Sequence, residues 1–191
     1  MKYLSDYNTP IFWAEGHPGL LDKENWKIEI TGLIEKPVIL NWKDLIEIPS
    51  KTVKARLTSV TRWSIEGEWT GIHISEISKI VKVKDEAKFL RVFSYRYLYD
   101  TTIDLNIAYK EKTLLAYKFN GYDLTEDYGG PIRLFVPYLW GYKSAKSIVK
   151  IEFTNVYISG YWEKRGYTDH AIFEQGFVRD LNDNGKIKPF P

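Results

Sequence analysis

Leu57-Thr58-Ser59-Val60-Thr61-Arg62-Trp63-Ser64, with Trp69-Thr70-Gly71 just beyond it, is the stretch from which the rest of this chain is read. Upstream, Val53, Ala55 and Leu57 alternate with Lys54, Arg56 and Thr58. A period of two places the first three on one face of a half-buried strand. That strand runs into Ser59 and delivers its hydroxyl to the strand end, where functional side chains are commonly carried on a rigid scaffold. The plain alternative is a hydroxyl that bonds neighbouring backbone, the ordinary use of a serine at such a point.

Working outward, the pattern is one of short strands and few helices. Trp26-Lys27-Ile28-Glu29-Ile30 alternates apolar and polar and stops at Thr31-Gly32, which predicts a strand ending in a turn. Pro37 opens a second short strand, Val38-Ile39-Leu40. Asn41 caps a short helix through Ile46, with Asp44 at its third position and Pro49 beyond. Ser75 is expected to cap another helix, with Ile77, Ile80 and Val81 on one face. Residues 89–95 form a mostly apolar strand, and residues 114–124 a hairpin turning at Asn120-Gly121. Residues 132–136 and 147–153 are further strands, the second setting Ile148, Lys150 and Glu152 against Val149, Ile151 and Phe153. From about Tyr161 the chain turns polar and Gly-rich, and from about residue 175 it reads as a loosely ordered tail. Helices fall between strands without regular βαβ alternation, so the class is α+β, with residues 1–191 as a single domain.

Composition narrows the function. Hydrophobic residues make up 44% and aromatics 16%, too apolar for a disordered chain. The charge balance of 27 basic to 25 acidic residues offers no basic stripe for nucleic acid and no polybasic membrane patch. No apolar run is long enough to span a bilayer. The start, Met1-Lys2-Tyr3-Leu4-Ser5-Asp6, carries no apolar leader and no twin arginine, and the chain is expected to be soluble and cytoplasmic. The absence of cysteine excludes disulfides and any thiolate metal site.

The residues alone do not reach a reaction. His17, His73 and His170 share no short spacing, so no HExxH-type metal face exists. Gly129-Gly130-Pro131 is a turn and no phosphate loop. Ser59, Ser64 and His17 lack the G-x-S-x-G elbow of a hydrolase.

Four blocks in a fixed order carry the reading further. The first is Pro10-Ile11-Phe12-Trp13-Ala14-Glu15-Gly16-His17-Pro18, with residues 26–33 and Lys36-Pro37. The second is residues 57–71. The third is Tyr99-Asp100-Thr101-Thr102-Ile103-Asp104-Leu105 with Leu114-Leu115-Ala116. The fourth is Gly129-Gly130-Pro131-Ile132-Arg133-Leu134 with Pro137 and Gly141-Tyr142-Lys143-Ser144-Ala145-Lys146-Ser147. A closing Gly160-Tyr161-Trp162-Glu163-Lys164-Arg165-Gly166-Tyr167 follows. Together, over residues 10–170, they resemble the sulfite-oxidase-like molybdopterin oxidoreductases, and in particular the single-domain members such as the catalytic subunit of the methionine sulfoxide reductase system.

The resemblance implies a mixed β-sheet fold around one molybdenum–molybdopterin cofactor. It places Phe12, His17, Thr101, Arg133, Lys143, Ser144 and Lys146 on the cofactor, and Ser59 with Arg62 at the metal and its chemistry. The lysines have the plain alternative of solvated side chains at a strand entrance, and Arg62 and Arg133 that of pairing with surface carboxylates. Trp63 and Trp69 are expected to pack around the loop. Sulfite oxidases have an Arg-Asn-His run where this chain has Glu15-Gly16-His17. In the family a cysteine thiolate stands at Ser59 and binds molybdenum. A serine binds a metal only when the metal, acting as a Lewis acid, removes its proton. Two function classes follow. One is an oxidoreductase transferring an oxygen atom to or from a small oxyanion or sulfoxide-type substrate, with electrons passing to a partner protein. The other is a catalytically inactive relative that carries the cofactor or another small ligand, or serves as an interaction module. In either case the end of the 53–57 strand, the 99–102 turn and the 141–146 loop are expected to line one pocket.

Overall fold

The long strand that leaves Trp63 is the axis of the larger of two sheets. The computed structural model describes residues 1–190. Its elements in chain order are β1 (Lys27–Gly32), β2 (Val38–Asn41), α1 (Trp42–Glu47), β3 (Ser50–Thr58), β4 (Trp63–His73), α2 (Ile74–Val81), β5 (Phe89–Ser94) and β6 (Asp100–Asp104). There follow α3 (Leu105–Ala108), β7 (Leu114–Phe119), β8 (Tyr122–Asp123), β9 (Arg133–Phe135), β10 (Ile148–Thr154), β11 (Gly176–Asp180) and β12 (Lys186–Phe190). The smaller sheet has the order β2-β1-β10-β5-β6, with β1 and β10 parallel and the other neighbours antiparallel. The larger runs β12-β11-β4-β7-β8, with β3 added to β4 and β9 to β7. Short helices join the strands without a repeating βαβ unit, so the architecture is α+β with mixed sheets.

Local sequence explains most elements. Ile28 and Ile30 of β1 are fully buried while Glu29 between them is not. Gly32 ends this strand at φ +91°, and a Cβ there would lie 2.1 Å from the Phe153 carbonyl oxygen. Only glycine permits that approach. Asn41 caps α1 reciprocally: its Oδ1 accepts from the Asp44 amide at 3.1 Å and the Asp44 Oδ2 accepts from the Asn41 amide at 2.9 Å. Asn120 and Gly121, at φ +49° and +83°, make the two-residue β7–β8 turn. Trp69 stacks on Phe135 at 4.2 Å and meets Phe119 edge-on at 4.9 Å, anchoring the apolar cluster beneath β3, β4 and β7.

Three expectations are corrected. The cap of α2 is His73, whose Nδ1 accepts from the Ser75 amide at 3.2 Å; the buried stripe is Ile74, Ile77 and Val81, and Ile80 is 48% exposed. The strict alternation expected across residues 147–153 is broken by a bulge between Ile148 and Lys150. That extra residue turns Ile148 inward beside Ile151 and Phe153. The residues expected as a loose tail form the β11–β12 hairpin, and β11 adds in parallel to the start of β4 through Arg179↔Trp63 and Asp180↔Ser64. The ion pair of Asp180 with Arg56 at 3.2 Å fastens it. Residue 191 lies outside the described residues.

Candidate functional site

A cavity of about 380 Å³ opens where the ends of β3 and β9 face the segment before β1. This is the size of a small-molecule or cofactor pocket. Its walls come from far-apart parts of the chain: residues 9–15, Leu57 with Ser59, Val60, Thr61 and Trp63, then Tyr99, Tyr128, Arg133, residues 141–146 in part, Trp162 and Tyr167. Three segments expected to converge, at Ser59, at Tyr99 and in the 141–146 loop, do so.

The Ser59 wall is a tight turn. The Ser59 amide bonds the Trp63 carbonyl at 2.9 Å, and the Arg62 amide bonds the Ser59 carbonyl at 2.9 Å. The Ser59 hydroxyl meets the Thr61 hydroxyl at 2.9 Å and accepts from the Thr61 amide at 3.2 Å. It thus performs the local backbone role open to any serine here, while its residue lines the cavity. The facing wall is the 3-10 turn Gly141–Lys143. A Cβ on Gly141 would sit 3.1 Å from the Thr58 carbonyl oxygen, so the two walls touch at that glycine. Ser144 fixes the end of the turn by accepting from the Val136 amide at 2.9 Å.

Two cations lie in this cavity without a carboxylate bonded to either. Arg133, 4% exposed, donates to the Tyr128 and Ser144 carbonyls, both at 2.8 Å, and its Nε has no partner. Burial pulls its pKa down to about 10. Lys146 donates to the carbonyls of Phe12 at 2.8 Å and Asp127 at 3.1 Å, and its ammonium lies 4.7 Å from the centre of the Trp13 ring. Burial, helped by the charge of Arg133, brings its pKa down to about 7. Glu15 also lines the cavity; burial raises its pKa, and it accepts from the Ser94 hydroxyl at 2.6 Å. The buried polar atoms without partners include Thr9 Oγ1, Trp13 Nε1 and Arg133 Nε, all on cavity-lining residues. Buried donors without partners are rare, and here they surround one space. A phosphate-bearing ligand rich in acceptors fits such a lining: it would take the Arg133 and Trp13 N–H groups and return the charge that Lys146 loses to burial.

Of the residues singled out from the sequence, Phe12, Ser59, Arg133, Ser144 and Lys146 line the cavity. The other four do not. Lys143 and Thr101 are fully buried behind it. Lys143 pairs with Glu163 and donates to the Thr102 carbonyl at 2.9 Å and the Tyr157 hydroxyl at 3.0 Å; Thr101 donates to the same Glu163 oxygen at 3.0 Å. Burial lowers the Lys143 pKa while the Glu163 charge opposes it. This knot holds the 160–167 segment, whose Trp162 and Tyr167 stack at 4.9 Å as an aromatic wall. His17 stands outside, with Nε2 2.9 Å from Asp127 Oδ1 and Nδ1 accepting from the Gly19 amide at 3.0 Å. Arg62 turns away from the cavity and lies over Trp140. Glu15 had no expected role, while Tyr99 and Tyr142 fall in the 99–102 and 141–146 segments expected to line the pocket. Tyr99 donates to the Tyr142 carbonyl, and burial holds its hydroxyl well above the usual range. For Glu15, presence in the first quoted block was the only available signal.

Residues 14–162 match the family described as the oxidoreductase molybdopterin binding domain. The chain is 33% identical over 177 residues to the protein-methionine-sulfoxide reductase catalytic subunit MsrP of Campylobacter jejuni, covering 84% of this chain and 58% of that protein. It is 31% identical over 159 residues to the uncharacterized oxidoreductase YuiH of Bacillus subtilis, covering 83% of this chain and 80% of that one. In three dimensions it resembles the sulfane dehydrogenase SoxCD of Paracoccus pantotrophus, with a TM-score of 0.70 at 20% identity, covering 89% of this chain and 46% of that chain. The chain thus spans little more than half of the MsrP relative and under half of the SoxCD chain. Among the described residues no helix is long and apolar enough to cross a membrane. With most of its length covered by that match, the chain belongs to the oxidoreductase molybdopterin binding domain family, whose bound group is the molybdenum cofactor.

Proposed function

We propose that this chain is the cofactor-holding part of an oxidoreductase that moves an oxygen atom to or from a small substrate of the sulfoxide or oxyanion type, with electrons exchanged with a separate partner protein. One observation carries the reading. The cavity of a molybdopterin-binding fold holds two cations without carboxylate partners, and buried N–H donors without acceptors surround it. Arg133 and Lys146 would hold the anionic end of the cofactor, Trp13 and Ser144 its polar ring edges, and Ser59 would stand beside the metal. The bound metal supplies two-electron redox chemistry coupled to oxygen transfer. The chain's own residues bind, orient and dehydrate: Phe12, Trp162 and Tyr167 wall the mouth with aromatic surface, and Glu15 is a carboxyl group of raised pKa that can hold a proton inside the cavity.

A second reading has its own support. The Ser59 hydroxyl is already bonded to Thr61, and the chain has no cysteine, so the same cavity suits a carrier that keeps the pterin without a protein-ligated metal. Metal and pterin analysis of protein made in a molybdenum-competent host separates the two. Molybdenum and pterin in equal amounts support the oxidoreductase, pterin alone supports the carrier, and neither overturns both. Ser59→Cys sharpens the result, because it replaces one oxygen by sulfur with little change of shape. On the oxidoreductase reading the variant binds molybdenum at least as well and gains a sulfur-to-metal charge-transfer absorption. A folded, cofactor-supplied variant that takes up no metal favours the carrier.

A further inference from the structure

We propose that Arg62 is a positioning residue that ties the two opposed cavity walls together from behind, with the β11–β12 hairpin as the third member of the joint. Within the run 59–63, Arg62 is the one residue that does not line the cavity. Its backbone is left-handed, at φ +63°, a conformation that non-glycine residues avoid unless their surroundings fix it. This turns the side chain to the outside of the wall. There the guanidinium lies 4.9 Å from the centre of the Trp140 ring. Trp140 is 4% exposed and directly precedes the Gly141–Lys143 turn that forms the facing wall.

The third member enters through both backbone and side chain. The Arg62 carbonyl accepts from the Arg179 amide of β11 at 2.9 Å, and Arg62 Nη1 donates to the Glu174 carbonyl at 3.1 Å. A Cβ on Gly176 would come within 3.0 Å of the guanidinium. Trp140 in turn donates its amide to the Ala171 carbonyl at 2.9 Å and packs on Phe173 and Phe190 at 5.0 and 5.9 Å. The half-exposed contact with the Glu174 carboxylate, at 3.7 Å, adds little. The hold comes from a planar cation lying over a buried indole while its Nη1 donates to the Glu174 carbonyl, a combination that lysine reproduces poorly. Arg62 therefore acts on the cavity through Trp140 and Glu174 and touches no ligand in it.

The test has two arms. The first does not depend on the cofactor reading. Hydrogen exchange is measured on cofactor-free protein for the parent, Arg62→Gly, Arg62→Lys and Trp140→Leu. Glycine accepts the left-handed backbone, so Arg62→Gly removes the side chain without disturbing the turn. The amides of Ser59, Arg62, Lys143 and Ser144, which close the two walls, should exchange several-fold faster in Arg62→Gly and Trp140→Leu. Arg62→Lys should lie between, and the β1 and β10 amides should not change. Unchanged wall amides, or acceleration spread evenly over both sheets, would overturn the proposal. The second arm rests on the cavity being the cofactor site. Pterin content should fall several-fold in each single variant, and the double variant Arg62→Gly/Trp140→Leu should lose no more than the worse single one. Independent, multiplying losses would overturn the coupling. A parent without pterin counts against the proposed function, and the exchange arm then decides the role of Arg62 alone.

Discussion

Lys146 shows how one buried charge reports on the cavity. Its ammonium is bonded to two carbonyls and to no carboxylate, and its pKa falls to about 7. In the unfolded chain a lysine keeps its proton to a pH of about 10.4. Between these values the native state binds fewer protons than the unfolded state, so folding gains from each rise in pH across that window. Below pH about 7 both states are protonated and the cost of the buried charge is felt in full. Thermal scans of cofactor-free protein should therefore show a melting temperature that rises between pH about 7 and 10 relative to Lys146→Met, the gap being flat below that range. A gap that stays constant with pH would place the Lys146 ammonium in water. The same variant should lose pterin while keeping its fold, since this lysine contributes charge more than packing. The expectation for Lys146 rests on the family resemblance, since a lysine at a strand entrance reads by itself as a solvated side chain. Lys143, three residues earlier, looked identical in sequence. Its fate is decided by Glu163, twenty residues away and buried with it, and no local pattern announces such a pair.

Elements whose logic is local were readable in advance, and those made by distant pairing were not. The Asn41 cap, the Asn120-Gly121 turn and the alternation of β1 and β3 each follow from a few adjacent residues. The β10 bulge and the parallel docking of β11 on β4 depend on partners elsewhere in the chain, so the first read as simple alternation and the second as a loose end. Gly32 sits between these cases: its place after a strand marks a turn, but its contact with Phe153 comes from the parallel β1–β10 pair. Gly32→Ala meets two penalties at once, a positive φ and a Cβ driven into a carbonyl oxygen. We expect a loss of about 2 kcal/mol or more, read as a lower urea midpoint with an unchanged slope. A midpoint equal to the parent would mean that the end of β1 shifts freely away from β10.

On the scale of the whole molecule, the cavity is an assembly problem. Its lining comes from residues 9–15, 57–63, 99, 128–133, 141–146 and 162–167, which span most of the chain. No one segment carries a recognisable site, which explains why residue chemistry alone stopped at an α+β domain while the joint order of blocks reached the family. The same dispersion predicts how the ligand acts. A group that binds only the folded state stabilises it by mass action, and it can bind only when all walls are in place. Comparison of cofactor-loaded with cofactor-free protein should then show a higher melting temperature on loading. Hydrogen exchange should slow together in peptides covering 9–15, 57–63, 141–146 and 162–167, although they are far apart in sequence. The outer strands β2 and β8 should change little, because neither contributes a lining residue. Slowing confined to the 141–146 peptide would describe an anion resting on Lys146 alone, and the cavity would then have to be reassigned from a cofactor site to a simple phosphate-sized one.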